Sequence, residues 1–261
     1  MSDNKLFIEE RGSHHSQTII FLHASGSSSR MWQHHVVALE NDFHCIVVDL
    51  PGHGNSLDVE WTSFDEVTEM IAQIIKERAH GRPHLVGLSL GGGVVLTLLE
   101  SHADLFERAI VDGMSHRPIK GYWKVIGGVY LISWLKNTRM IANIMRGMMT
   151  KDGVPEDECQ SFVSDLQHTS NCSFRRAMSQ ANLLTLDLTF SNPIFFVSGE
   201  HDSETMHESH KLLASQNLAS ECAYYPNKGH AWLFSDVKTH IQLVKYFFKN
   251  SSFPEKLKRF D

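Results

Sequence analysis

No apolar run in this 261-residue chain is long enough to cross a bilayer. The longest weakly polar stretch, residues 125–135, falls far short of the roughly 20 residues that a spanning helix needs. The opening MSDNKLFIEERG lacks the apolar segment of a secretory leader. Cysteine is scarce. Cys45, Cys159, Cys172 and Cys222 are scattered without CxxC spacing, which reads as reduced thiols and argues against a disulfide frame. Basic charge is thin as well: the formal net charge is -6, and the one dense basic run, residues 256–259, reads as a solvated tail. A nucleic-acid-binding stripe is therefore missing. These absences point to a cytoplasmic protein with no nucleic-acid or membrane partner, and they leave its oligomeric state open.

What is present is a chain 42% hydrophobic and 21% charged, long enough for a large core. Strand-like runs are expected at 5–11, 18–23, 44–49, 83–89, 108–113, 193–199 and 222–226. Several are continuous apolar stretches (TIIFL, CIVV, PIFFV), as parallel strands covered on both faces require. Helical periodicity lies between them, at 31–41, 64–80, 90–103, 204–216 and 237–249. The alternation predicts an α/β fold with a mostly parallel, doubly wound sheet of about seven strands. It stops between residue 114 and about residue 187. That stretch reads as a helical cap at 115–186 inserted into a core formed by 1–114 and 187–261. The cap is rich in Met and aromatic residues, so Trp123, Trp134, Met145 and Met149 are candidates for an adaptable apolar pocket. The plainer alternative is that they only pack the cap onto the core.

The strongest chemical signal is Gly87-Leu88-Ser89-Leu90-Gly91, with an apolar strand leading in and an apolar helix leading out. A serine on such a sharp turn needs small neighbours, is exposed, and sits at a helix N-terminus that favours developing negative charge. Ser89 is thus the candidate nucleophile. A serine hydroxyl needs a base and an orienting acid. His230, in NKGHAW after the last long strand, and Asp202, in SGEHD after the preceding one, fall at the same sheet edge. Asp112 and Glu200 are rival acids. The amide of Leu90 and that of Ser25, in the small-residue loop HASGSSS, are candidate oxyanion donors, and Ala24 and Trp232 are further candidates for substrate contact. His207-Glu208-Ser209-His210 is not HExxH, and no Cys/His spacing fits zinc, so no metal or cofactor is expected.

FLHASGSSSRMW, VVDLPGHGNS, GLSLGG, SGEHD and NKGHAW, in this order over nearly the whole chain, resemble the α/β-hydrolase superfamily in its capped, cofactor-free, carboxylesterase-like branch. The resemblance implies the chain order Ser, Asp, His for the triad, places the second oxyanion donor at Ser25, two residues after His23, and makes His53 a structural residue. One departure is Ala24 where the family usually has glycine. The expected activity is hydrolysis of small to medium, fairly apolar carboxylic esters through an acyl-enzyme. The alternatives are a carbon–carbon hydrolase or lyase, which would call on cap cations such as Arg139, Arg146, Arg175 or Arg176, and a binding module that retains a hydrolase scaffold.

Overall fold

All seven runs expected as strands form strands, and an eighth joins them in the computed structural model, which describes residues 5–260. Residues 1–4 and 261, which the sequence reading assigned to the core and its leaderless start, lie outside the described residues. The strands are β1 (Ile8–Arg11), β2 (Thr18–Leu22), β3 (His44–Val48), β4 (His84–Leu88), β5 (Arg108–Asp112), β6 (Ile194–Gly199), β7 (Glu221–Tyr225) and β8 (Lys258–Arg259). Their order in the sheet is β1-β3-β2-β4-β5-β6-β7-β8. The six inner strands pair in parallel, while β1 and β8 close the edges antiparallel.

The eighth strand corrects the reading of the basic tail as merely solvated. Arg259 pairs with Ala223 across β7 and is ion-paired with Glu221, and Lys256 Nζ lies 2.6 Å from Asp236 Oδ2. A two-residue strand is too short to show any period.

Helices cover both faces, and the apolar runs are continuous because each strand residue has a layer to meet. In β2, Ile20 and Leu22 pack in one cluster with Val67, Ile71, Val94 and Leu98. Ile19 and Phe21 point the other way, into a second cluster with Trp32, Val36, Leu243 and Phe247. The first layer belongs to α2 (Phe64–Arg78) and α3 (Leu90–Ser101), the second to α1 (Gln33–Leu39) and α10 (Val237–Lys249). Helix α2 starts where Ser63 Oγ accepts the Glu66 amide at 3.1 Å, with Asp65 and Glu66 in its first turn and Lys76 and Arg78 in its last, the signs that suit the helix dipole. Phe21 is fully buried, and truncating such a ring to alanine typically costs about 3–5 kcal/mol.

Between β5 and β6 come four helices: α4 (Tyr122–Leu135), α5 (Arg139–Lys151), α6 (Glu156–His168) and α7 (Asn171–Ala181). They are tied to the loops that follow β2 and β3. Ser28 Oγ donates to Asp165 Oδ2 (2.7 Å), Arg30 pairs with the same carboxylate (2.6 Å), the Ser170 amide donates to the Gly52 carbonyl (2.8 Å), and Ser173 Oγ accepts the Trp61 amide (3.0 Å). These ties hold the four helices over the carboxyl ends of the strands. Helices α8 (Glu204–Ser215) and α9 (Trp232–Ser235) complete the list.

Candidate active site

Ser89 joins β4 to α3 with φ 51° and ψ −109°, a left-handed backbone that is strained for any residue with a side chain. The turn is held by its neighbours. The Ser89 amide donates to the Asp112 carbonyl (2.8 Å) and the Gly91 amide to the His23 carbonyl (3.1 Å). A Cβ on Gly91 would stand 2.2 Å from the Leu22 carbonyl oxygen, and one on Gly87 would stand 2.4 Å from that of Gly91. Only glycine permits this approach, which is the physical content of G-x-S-x-G. Leu90 is the first residue of α3, where helix geometry leaves the N–H without an intrahelical acceptor.

Asp202 follows β6 and His230 follows β7. The two loops are laced together: the Glu200 amide donates to the Tyr225 carbonyl (2.9 Å) and that of His201 to Lys228 (2.8 Å). His230 Nδ1 then meets Asp202 Oδ1 at 3.2 Å, while Asp202 Oδ2 accepts the Gly199 amide at 2.9 Å. Burial alone would lower the His230 pKa. The hydrogen bond and charge of Asp202 outweigh that and hold the imidazole above its ordinary value. For Asp202 burial acts upward, but the His230 bond and charge and the Gly199 amide bring its pKa below the usual carboxylate value. The rival acids are otherwise engaged. Glu200 accepts the Asn227 amide (2.6 Å). Asp112 accepts the Trp232 indole (3.1 Å), and burial pushes its pKa well up despite that bond.

The loop after β2 is braced by His23. Its Nε2 accepts the Leu50 amide (2.9 Å), which leaves Nδ1 as the donor to the Ala24 carbonyl (2.8 Å). Burial lowers the His23 pKa, so the ring is neutral and the two bonds fix its tautomer. His53, buried against His23 at 5.1 Å between ring centroids, bonds the Pro51 carbonyl (2.9 Å), and burial takes its pKa down to about 3.

Ser25, Ser89, Asp202 and His230 open into one cavity of about 490 Å³. A hollow of about 570 Å³ around Phe7, Arg30 and Val37 lies away from these groups and gathers no nucleophile–base pair. Ala24, Met145 and Met149 line the cavity into which Ser89 and His230 open. The other three contact candidates do not. Trp123 is 83% exposed and Trp134 78% exposed, because their stripe of α4 turns outward. Trp232 is fully buried beneath the site, stacked on Tyr225 and bonded to Asp112. The wall is built instead by Val129 and Ile132 of α4, Met148 of α5, Phe162 and Leu166 of α6, Phe174 and Met178 of α7, and Phe234 of α9, with the Asp152 carboxylate at the end of α5. Met148 belongs to the Met-rich cap whose pocket role the sequence suggests, whereas the other residues are not singled out by it. The spacing of α6 and α7 carried the signal, but α4 is apolar all round and announces no inner face.

None of the cap arginines weighed for an anionic substrate reaches the cavity. Arg146 faces Glu156 (3.7 Å), Arg176 pairs with Glu60 (2.9 Å), and Arg175 lies over the Tyr130 ring (5.4 Å). Among the described residues no group of three or more His, Cys, Asp and Glu is arranged to hold a metal ion, and no helix is long and apolar enough to cross a membrane.

The fold, the strained serine turn and the Asp202–His230 pair define a hydrolase of the α/β type. The chain belongs to the alpha/beta hydrolase family, whose pattern it matches over residues 19–238. It is 35% identical to the 2-succinyl-6-hydroxy-2,4-cyclohexadiene-1-carboxylate synthase of Enterobacter sp. (strain 638), over 81% of this chain and 84% of that protein. It is 32% identical to the pimeloyl-(acyl-carrier protein) methyl ester esterase of Vibrio cholerae, over 42% of each. Matches of this shorter kind span only about a third to two fifths of the relatives' length (36%, 32% and 42%). Among solved structures, the enol-lactonase from Burkholderia xenovorans LB400 superposes with a TM-score of 0.79 at 19% identity, covering 94% of this chain and 96% of that one. At such identity the likeness is one of fold.

Proposed function

We propose that this enzyme is a serine hydrolase cleaving carboxylic esters of small to medium, fairly apolar substrates, with residues 115–186 as its cap. The observation that carries the reading is the cavity: Ser89, His230 and Asp202 open into a space walled by Met and Phe side chains and devoid of lysine and arginine. His230 takes the Ser89 proton as the hydroxyl oxygen attacks the ester carbonyl carbon, and Asp202 holds the imidazole by Nδ1 and stabilises its charge. The amides of Ser25 and Leu90 receive the oxyanion, each such donor being worth roughly 100- to 1000-fold in rate. The alcohol leaves with the His230 proton. Water then attacks the acyl-enzyme, again with His230 as base.

The test is turnover of p-nitrophenyl esters from acetate to decanoate by wild type and Ser89→Ala. Hydrolysis that follows acyl length and falls at least about 10,000-fold in the variant supports the reading. A Ser89→Ala enzyme retaining near wild-type turnover overturns it.

A lyase reading draws on the Enterobacter relative, whose name denotes a carboxylate product. The cavity speaks against an anionic substrate here, since outside the triad its lining holds the acidic Asp152 and the imidazole of His201 but no lysine or arginine. Aryl hemisuccinate and aryl butyrate, compared on wild type and Asp152→Asn, test whether the cavity disfavours an anionic acyl group. The ester reading expects the neutral substrate to be preferred and the variant to narrow the gap.

A further inference from the structure

From residue 113 to residue 151 the sequence contains no acidic side chain and seven cations, so the rest of the chain holds 17 cations against all 30 acidic residues. This segregated charge belongs to α4, α5 and the loop before them. Lys136 is turned inward onto the Leu166, Gln167 and Thr169 carbonyls. Lys120 and Arg146 have only distant, exposed partners, Glu204 at 3.8 Å and Glu156 at 3.7 Å. Among the described residues Lys124, Arg139 and Lys151 have no ion pair at all, so their charge is offered to solvent.

The same two helices carry most of the large exposed apolar side chains among the described residues. Of twelve large apolar side chains that stand exposed among the described residues, seven lie on α4 and α5. At about 100° per residue, Trp123, Tyr130 and Trp134 fall within about 40° of one line along α4. Met140, Ile144 and Met148 form a corresponding stripe on α5. Arg175 adds its guanidinium over Tyr130. A helix apolar on every side is ordinarily covered on every side, and an exposed patch of this kind marks an interaction site. Two indoles and a phenol amid unpaired cations match the boundary between acyl chains and anionic headgroups: the rings suit an interface that is apolar on one side and wet on the other, and the cations suit the negative leaflet.

We infer that the outer face of α4 and α5 docks this enzyme peripherally on an anionic lipid surface. The sequence led to the expectation of no membrane partner because no stretch is long enough to span; a surface-resting helix needs no such length, and residues of the same 125–135 stretch, Tyr130 and Trp134, belong to the docking face. Met148 belongs both to the exposed stripe and to the cavity wall, so a lipophilic ester leaving the interface would enter past it, a step that rests on the proposed hydrolase reading.

Co-sedimentation with phosphatidylcholine vesicles, with and without phosphatidylglycerol, tests the docking without recourse to activity. Wild type is expected to bind the anionic vesicles and to be released by high salt. Trp123→Ser/Trp134→Ser and Lys124→Glu/Arg139→Glu are each expected to lower the partition coefficient roughly tenfold or more, with unchanged thermal unfolding, since all four side chains lie outside the core and the cavity. No binding to anionic vesicles, or equal binding by both variants, overturns the proposal. So does a surface that ignores vesicles but binds an acidic acyl-carrier protein, or one that self-associates and is freed by the tryptophan variant. Failure of the ester assays would leave the vesicle result standing on its own.

Discussion

The indole of Trp232 donates to Oδ1 of Asp112 at 3.1 Å, with both side chains buried beneath the triad cavity. The other carboxyl oxygen lacks a hydrogen bond and lies 3.8 Å from His240 Nε2. This one contact removes Trp232 from the pocket wall and engages the rival acid. Burial favours the protonated form of Asp112, which asparagine mimics closely. Asp112→Asn is therefore expected to keep kcat/KM within about tenfold, while Asp202→Asn loses about 10,000-fold by freeing the imidazole tautomer. Steady-state kinetics of the two variants decide the matter; the reverse ranking hands the acid's role to Asp112.

The His230 pKa is held above 6.5 by Asp202 against the pull of burial. A general base must be neutral to act, so activity should rise with pH and reach half its plateau above pH 6.5. In Asp202→Asn the bond and the charge are gone, so the limb should move to lower pH. A kcat/KM profile between about pH 5 and 9 reads both limbs directly. An acid limb that stays in place in the variant contradicts the pairing.

Gly113 has φ +62°, and a Cβ there would stand 2.6 Å from His230 Cε1 and 2.9 Å from Nδ1. Gly113→Ala should push the imidazole off line as well as strain the backbone. The expected result is a kcat reduced by roughly 100-fold for a displacement of this order, a modest change in KM, and about 1–2 kcal/mol less stability. Urea unfolding beside kinetics separates the two effects, and an unaffected kcat would show that His230 adapts.

Eight histidines are buried among the described residues, and six of them set the acid behaviour of the fold. Burial takes the pKa of His53 and His240 down to about 3 and that of His84 and His210 to about 4, and lowers those of His23 and His35. Below pH 6.5 the unfolded chain binds protons that these folded rings refuse. Their stability contribution is thus intact above 6.5 and is lost as pH falls towards the folded values. Each such ring costs up to about 1.4 kcal/mol per pH unit. The melting temperature should therefore drop steeply below pH 6.5, and less steeply in His240→Gln. A flat melting temperature down to pH 5 would rule this out.

Much of the architecture was legible because its causes are local. TIIFL and CIVV read as buried strands since both faces of β2 and β3 meet helices, and the serine turn is written in Gly87 and Gly91, where a Cβ has no room. The missing strand β8 spans two residues and is made by its partner β7, so nothing in its own pattern could announce it.

The sequence by itself determined the order of the elements, the glycine-flanked serine, and the placement of Ser89, Asp202 and His230 on loops at one sheet edge, because periodicity, covalent order and close backbone approach are properties of short segments. Tertiary structure decided which carboxylate His230 faces, since Asp112 and Asp202 both end strands at that edge and only packing assigns one to Trp232 and the other to the imidazole. It also decided that Trp123 and Trp134 face solvent while Val129 and Ile132 face the cavity. A helix apolar on every side has no inner face until its neighbours, here α5 and α7, choose one.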